Sequence, residues 1–246
     1  MKNRNKQKKP SIEKLDVFYV LEQKKELIQR VAAENFFSGN FLDIGCGRMP
    51  YKNIIEPYVE KYTGVDIENE IYQNELKPDV FWNGSVLPFE NSTIDSAMLV
   101  EVLEHIPETK KVLDEISRVL KENAALLITV PFLWNLHDIP NDEYRFTPYS
   151  LKRFLNNSGF SIIDMQAFGN WHASMATMLG LYVRRAVKSS WKKYALSVLL
   201  RPLIIKLFEK DKKANHRNFN NGMMINGIWC LAKKSNNGYN QQKQNV

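Results

Sequence analysis

Hydrophobic residues in this chain form short, nearly continuous runs, separated by stretches whose apolar positions recur at helical spacing. The runs predict seven β-strands, at 41–44, 62–66, 80–82, 94–100, 124–130, 160–168 and 225–233. Helical spacing predicts helices over 51–57 and 109–120, a helix opening at Thr147-Pro148, and one or two helices over 12–37. Strands that are apolar throughout are typical of a parallel sheet covered on both faces. We therefore predict an α/β domain with a seven-stranded, mostly parallel sheet.

Residues 170–217 interrupt this alternation. They contain aromatic and aliphatic runs such as 194–200, with basic residues between them. This pattern predicts a basic helical insertion before the last strand. The predicted domain spans 11–234, between a disordered basic tail at 1–10 and a disordered polar tail at 235–246.

Charge is unevenly distributed along the chain, whose formal net charge is +7. Residues 1–10 carry five basic side chains and no acidic ones, and residues 11–174 carry 15 Lys and Arg against 25 Asp and Glu. Residues 175–246 carry 14 basic side chains against 2 acidic ones. This partition indicates that the ends of the chain, rather than its body, meet an anionic partner.

Cysteine content and the amino terminus bear on the compartment. Cys46 and Cys230 are the only cysteines, which favours neither a disulfide framework nor a zinc site, and no metal is expected. The basic start has no apolar core of the kind that a signal peptide needs, and no apolar run is long enough to span a bilayer. We expect a cytoplasmic protein.

The run Asp43-Ile44-Gly45-Cys46-Gly47 ends the first predicted strand. A strand, a Gly-x-Gly turn and a helix start together hold nucleotide-like cofactors, because glycine lets the backbone approach a ligand closely. The dinucleotide pattern fails, since Pro50 stands where its third glycine belongs, and proline is suited to be the first helical residue. Asp66 ends the second strand about 20 residues later, the spacing of a carboxylate that binds ribose hydroxyls.

Two later motifs, 83–89 and 101–106, complete an ordered set: Asn-Gly-Ser-Val-Leu-Pro-Phe and Glu-Val-Leu-Glu-His-Ile. In this order the motifs resemble the class I S-adenosylmethionine (SAM)-dependent methyltransferases, in the methyltransferase-11-like group with an "LPF…VLEHI" signature. The resemblance implies a Rossmann-like fold and SAM as the cofactor. It also implies cofactor-binding roles for ten residues: Asp43, Gly45, Cys46, Gly47, Asp66, Ile67, Asn83, Gly84, Ser85 and Glu101.

The resemblance also suggests roles within this set. Gly45 and Gly47 would pass under the cofactor, with Asp43 ordering their loop, and Glu101 would line its methionine portion. Asn83 stands where relatives usually have Asp, so its side-chain oxygen would accept from the adenine amino group more weakly.

The segment 131–147 after the fifth strand is rich in aromatic and titratable residues, and long loops at this edge tend to be functional. It is similar to a loop of relatives common among bacterial surface-polysaccharide genes. His137 or Asp142 could take a proton from an attacking hydroxyl, with Tyr144 and Arg145 orienting the acceptor. Alternatively the segment is a structural lid, whose Tyr and Arg cap the helix at Thr147. His105 could also act as a base, although in this family it usually belongs to a helix entry.

These observations predict methyl transfer to an acceptor hydroxyl, on a sugar of a surface glycan or of its lipid-linked precursor. The alternatives are another small acceptor, such as a quinone or a fatty-acid derivative, and a non-catalytic SAM-binding protein. Residues 175–217 have three interpretations: a cover over the active site, a pair of helices on an anionic membrane surface, or a nucleic-acid contact. Aliphatic runs favour the membrane over nucleic acid. The oligomeric state is not fixed by the sequence.

Overall fold

The structure is a computed structural model that describes residues 11–68, 77–212 and 219–235. Its described strands number seven, as the hydrophobic pattern predicts: β1 (Asn40–Ile44), β2 (Lys61–Ile67), β3 (Val80–Trp82), β4 (Ile94–Val100), β5 (Leu120–Pro131), β6 (Phe160–Phe168) and β7 (Gly227–Lys234). They form one sheet in the order β3-β2-β1-β4-β5-β7-β6. The pairs β1–β2, β1–β4, β2–β3 and β4–β5 are parallel, and β7 runs antiparallel to β5. The prediction of a Rossmann-like, mostly parallel sheet is confirmed.

Six α-helices occur in the described residues: α1 (Phe18–Ala33), α2 (Lys52–Ile55), α3 (Thr109–Val119), α4 (Pro148–Asn157), α5 (Trp171–Leu181) and α6 (Ser190–Asp211). Short 3-10 turns occupy Ile12–Lys14, Glu56–Tyr58 and Leu103–His105, and a π turn occupies Tyr182–Ala186. Each of the helical regions that the sequence predicts contains at least one of these helices.

The start of α4 agrees with its predicted cap. Thr147 Oγ1 accepts a hydrogen bond from the Ser150 backbone N–H at 3.1 Å, and Ser150 Oγ accepts one from the Thr147 N–H at 3.0 Å. Both donors would otherwise lack helical partners, so this capping box fixes where the segment after β5 ends.

Two element boundaries differ from the prediction. Helix α2 begins at Lys52 and not at Pro50, because Met49 adopts a left-handed backbone (φ 52°) and its N–H donates to Cys46 O at 2.8 Å. Strand β5 begins at Leu120 rather than at residue 124. Leu120 pairs with Ile94, and a register shift then absorbs the polar residues before the regular pairing resumes.

The chain divides into two compact units. One comprises Lys25–Gln166 and Gly227–Val246, and it holds β1 to β5, most of β6, and β7. The other comprises Met1–Lys24 and Ala167–Asn226, and it holds α5 and α6. Residues 213–217 of the predicted insertion, and the predicted tails apart from Ser235, lie outside the described residues.

The unit containing α5 and α6 has its own small core, built from Leu15, Tyr19, Ala173, Ala176, Ile204 and Phe208. The Tyr19 ring stacks on Phe208 with centroids 4.3 Å apart, and the Tyr19 hydroxyl donates to the buried Asp211 at 2.6 Å. Asp211 Oδ1 also accepts the N–H groups of Asn170 and Ala173 at the start of α5. This carboxylate therefore joins α6 to the first turn of α5. No helix among the described residues is long and apolar enough to cross a membrane.

Candidate functional site

The glycine loop after β1 is shaped by two left-handed glycines. Gly45 has φ 68°, and a Cβ placed there would lie 2.3 Å from Val102 Cγ2, so this position requires glycine. Gly47 has φ 51°, but a Cβ there would meet nothing within 4 Å. The loop thus packs tightly on one side and leaves open space beside Gly47. The neighbouring Cys46 is buried, and its N–H, like that of Gly45, donates to Val65 O.

Asp66, at the end of β2, binds this loop directly. Its Oδ2 accepts the Gly47 N–H at 2.8 Å, and its Oδ1 accepts the Ile67 N–H at 2.7 Å. A carboxylate oxygen can accept more than one donor, so both oxygens can still receive ribose hydroxyls. The sequence predicts that Asp66 binds a ribose, but not that it also holds the glycine loop. Every residue except proline has a backbone N–H, so the sequence does not show which of them will donate to Asp66.

The loop after β3 corrects the role predicted for Asn83. Its Oδ1 accepts the N–H of Ser85 at 3.0 Å, the N–H of Val86 at 2.8 Å and the Ser85 hydroxyl at 3.0 Å. Three donors occupy the acceptor capacity of an amide oxygen, so Asn83 builds a turn and this oxygen is not available to an adenine amino group. Gly84, with φ 78° and nothing closer than Ile67 Cγ2 at 3.8 Å to its Cβ position, leaves an open backbone there instead.

Glu101 follows β4 in a left-handed conformation (φ 57°). Its N–H donates to Thr129 O at 3.0 Å, and its Oε1 accepts the Thr129 hydroxyl at 2.9 Å. Strand β5 therefore holds this carboxylate at the carboxyl edge of the sheet, where open α/β sheets bind ligands.

Burial raises the pKa of Asp43 to about 7; the Tyr62 hydroxyl, which donates to it, opposes this effect, and the charge of Asp66 adds to it. The pKa of Tyr62 is raised in turn, by burial and by Asp43. With Glu101, three carboxyl groups thus approach one region of the sheet edge. Because Asp43 keeps its proton up to about pH 7, Asp66 and Glu101 are the acidic groups that favour a cationic ligand there.

The segment after β5 is organised by an ion pair. Arg145 Nη1 donates to Asp142 Oδ1 at 2.5 Å and Nη2 donates to Asp142 Oδ2 at 2.8 Å. The Asp142 side chain is only 3% exposed, and the Arg145 guanidinium holds the pKa of that carboxyl well below its usual range. A carboxylate stabilised in this way is a poor proton acceptor, so the structure argues against Asp142 as the base.

His137 lies beside this ion pair. Its backbone N–H donates to Asp142 Oδ2 at 3.2 Å, and its ring Nδ1 is 3.4 Å from the same oxygen. Tyr144 donates its hydroxyl to Pro107 O at 3.0 Å, and Arg145 also donates to Asn135 O. Both side chains bond to the protein itself, as in the lid alternative. Neither caps α4, however, since Thr147 and Ser150 form its capping box.

The two segments that follow β4 and β5 are joined by their backbones. The N–H groups of Glu143 and Tyr144 both donate to Glu104 O, at 3.0 and 3.1 Å. The rings of His105 and His137 lie edge to face, with centroids 4.9 Å apart. Sequence reasoning missed Glu104, whose carboxylate is completely buried beside these rings. The available signal was a second acidic residue, next to a histidine, in the motif 101–106.

Comparison with known proteins agrees with this arrangement. A family model described as a methyltransferase domain matches residues 16–199. A sterol 4-C-methyltransferase of Caenorhabditis elegans is 34% identical over 122 residues, covering 45% of this chain and 36% of the relative. An O-methyltransferase of Aspergillus nomiae is 27% identical over 147 residues, covering 50% of this chain and 64% of the relative. The chain thus spans about a third to two thirds of the length of these curated relatives.

Among solved structures, a putative methyltransferase from Bacillus halodurans superposes with a TM-score of 0.54 at 16% identity, covering 87% of this chain and 99% of that one. A SAM-dependent methyltransferase from Mesorhizobium loti gives 0.55 at 11% identity, covering 89% and 100%. At this identity the likeness concerns the fold.

The cofactor of this family is SAM, and the residues present fit it. Gly47 leaves space beside the loop, Asp66 offers a carboxylate to a ribose, and the acidic groups suit a sulfonium and an ammonium. The fold, the matched family model and this cofactor edge agree, and the chain belongs to the class I SAM-dependent methyltransferases.

Proposed function

We propose that this protein transfers the methyl group of SAM to a hydroxyl of a sugar, in a surface glycan or in its lipid-linked precursor. The observation that carries the hydroxyl acceptor is the pair of imidazoles, His105 and His137, brought together at the cofactor edge by the segments after β4 and β5. An oxygen acceptor has to lose a proton, and imidazole is suited to assist at neutral pH. The relative from Aspergillus nomiae, named an O-methyltransferase, also supports an oxygen acceptor.

Bound SAM supplies an electrophilic methyl group, and the chain's residues supply alignment and proton removal. The glycine loop and Asp66 hold the ligand's position at β1 and β2, while Glu101 is fixed by Thr129 at β4. His137 activates the acceptor hydroxyl, and the charge of the adjacent Asp142 stabilises positive charge developing on its ring.

A panel of acceptors tests this proposal. Purified protein with labelled SAM is offered surface glycans, lipid-linked sugars, quinones and sterols. We expect the labelled methyl group in the sugar-containing acceptors. The His137→Ala variant should transfer much less label to the same acceptors. Label in quinones or sterols alone would refute the sugar and support the second candidate, a lipid-like acceptor, which the name of the Caenorhabditis elegans relative favours. Calorimetry that detects binding of neither SAM nor its demethylated product would favour a non-catalytic protein.

We further propose that α5 and α6 contact an anionic membrane surface. Helix α6 exposes an apolar stripe at helical spacing, in which Trp191 is 71% and Leu199 is 70% exposed: Trp191, Tyr194, Val198, Leu199 and Leu203. A second stripe follows α5 into the π turn: Trp171, Met175, Met178 and Tyr182. Basic residues outnumber acidic ones 14 to 2 over 175–246. Apolar side chains that enter lipid beside cations that meet headgroups are typical of interfacial helices.

Sedimentation with vesicles tests this contact. We expect the protein to sediment with vesicles containing anionic phospholipid, and to be released at high salt. Leu199→Glu should weaken sedimentation, whereas Tyr149→Glu on α4, where Tyr149 is 69% exposed, should not. No sedimentation at low salt, or equal loss in the two variants, would refute the membrane contact.

A further inference from the structure

Three side chains with metal-binding atoms converge where the segments after β4 and β5 meet. The ligand atoms of Glu104, His105 and His137 lie within 4.8 Å of one another, and His105 Nε2 is 3.8 Å from Glu104 Oε1. Glu104 is completely buried, while the two histidine side chains are 22% and 25% exposed. The cluster therefore has a buried carboxyl end and an end that solvent reaches.

The surrounding groups orient both rings. His105 Nδ1 lies 2.9 Å from Asn141 O, and a hydrogen on Nδ1 that donates to this carbonyl leaves Nε2 with its lone pair. That lone pair faces Glu104 and also Asp138, whose Oδ2 lies 3.8 Å away. In metal sites, the ring nitrogen that does not bind the ion commonly donates to a carbonyl or a carboxylate, as here.

Asp142 is the acidic neighbour of the His137 ring. Its Oδ2 lies 3.4 Å from His137 Nδ1, and the bidentate pair with Arg145 keeps the carboxylate ionised and in place. His105 thus has a hydrogen-bond partner on one ring nitrogen, whereas His137 Nδ1 has a carboxylate nearby without a hydrogen bond to it among the described residues. These neighbours keep both rings close to Glu104 before an ion binds.

We propose that Glu104, His105 and His137 bind a divalent transition-metal ion, of the class of Mn²⁺, Fe²⁺, Co²⁺ or Zn²⁺. Two imidazoles and one carboxylate favour these ions over Mg²⁺ and Ca²⁺, which prefer oxygen ligands. Bonds of about 2.0–2.2 Å bring neighbouring ligand atoms to roughly 3 Å from one another. The observed separations, up to 4.8 Å, need movements of roughly 1 Å per side chain, which the partly exposed imidazoles can make. The sequence predicts no metal, because its two isolated cysteines favour no zinc site and His137 lies far along the chain from the adjacent Glu104 and His105.

Three protein ligands leave coordination positions for the acceptor, and this part of the inference rests on the proposed function. The acceptor hydroxyl binds the ion and gives its proton to solvent. Its oxygen then forms the bond to the methyl carbon, while the electrons of the broken carbon–sulfur bond stay on sulfur. His137 acts as a ligand, so its activating role passes through the ion rather than through direct proton transfer.

Direct binding of Co²⁺ and Mn²⁺ to chelator-treated protein, without SAM, tests the site. We expect one ion per chain. Bound Co²⁺ should show visible absorption bands, and bound Mn²⁺ should be seen as loss of the electron paramagnetic resonance signal of the free ion. His137→Ala and His105→Ala should each weaken binding at least tenfold. His172→Ala, an exposed histidine on α5, should leave binding unchanged. SAM calorimetry on the same variants should match the wild type, showing that the fold is intact. No binding to the wild type, or equal binding to His137→Ala, would overturn the site.

Transfer assays then separate the two proposals. We expect chelation to abolish methyl transfer and Mn²⁺ or Zn²⁺ to restore it. Transfer that chelation does not affect would overturn the activating role of the ion. Failure to methylate every acceptor would overturn the proposed function alone, because ion binding is measured without SAM.

Discussion

Replacing Asp43 by Asn should change how the stability of the fold depends on pH. Asp43 lies on β1, is 2% exposed, and accepts a hydrogen bond from Tyr62. Burial raises its pKa from 3.8 to about 7. Asparagine has nearly the same shape as the protonated acid and can still accept from Tyr62, but it does not titrate.

The size of the effect follows from the two pKa values. Between pH 4 and pH 7 the unfolded chain has lost the Asp43 proton, while the folded chain keeps it. The free energy of unfolding of the wild type therefore falls as pH rises, by about 1.4 kcal/mol per pH unit, and the loss ends near pH 7. The full difference is on the order of 4 kcal/mol. Relative to the wild type, the Asp43→Asn protein should gain stability as pH rises from 4 to 7. Above pH 7 the difference in the free energy of unfolding between the two proteins should be constant.

Urea unfolding at pH 5, 6, 7 and 8 measures the gap directly. Asp95→Asn is the matched control, because ion pairing with Lys121 and the Asn40 N–H lower the pKa of Asp95 and keep it ionised in both states. Its difference from the wild type should be constant over this range. A gap for Asp43→Asn that does not grow between pH 5 and pH 7 would show that the folded chain ionises this carboxyl normally.

Two further predictions concern the glycine loop after β1 and the segment after β5. Gly47→Ala and Gly222→Ala both place a Cβ at positive φ in open space, so each should cost about 1 kcal/mol of stability. Only Gly47→Ala should weaken SAM binding, by tenfold or more in calorimetry; equal affinities would mean that SAM does not occupy this space. Arg145→Lys should lower stability by about 1–3 kcal/mol at neutral pH, since it breaks a bidentate pair with a buried Asp142. That loss should shrink as pH falls below about 5, where the depressed pKa of Asp142 makes the wild type lose stability; a loss independent of pH would contradict the pairing.

The strands and the glycine turn after β1 were predictable, because they depend on local apolar runs and on glycines next to them in sequence; the cofactor roles of these residues stay predictions. The turn at Met49 was not, since its left-handed backbone arises from a hydrogen bond to Cys46 that composition does not reveal. The use of the Asn83 oxygen was likewise hidden, because its donors are mostly backbone N–H groups.

The histidine cluster shows a different limit. His137 was predicted as a functional residue, and His105 was considered as a base. Their convergence on a buried Glu104 depends on two segments that meet only because β4 and β5 are neighbours in the sheet. The spacing of residues along the sequence does not show which segments approach each other in the fold.

The backbone bonds from Glu143 and Tyr144 to Glu104 link the segment after β5 to the segment after β4. The same short segment places Val102 against Gly45, so the glycine loop and the segment after β5 both contact one stretch of chain. Occupancy on one side should therefore be felt on the other as slower amide exchange at Glu143 and Tyr144. On the proposed function, binding of the methyl donor and binding of the acceptor would be coupled through this stretch, each affecting the other equally.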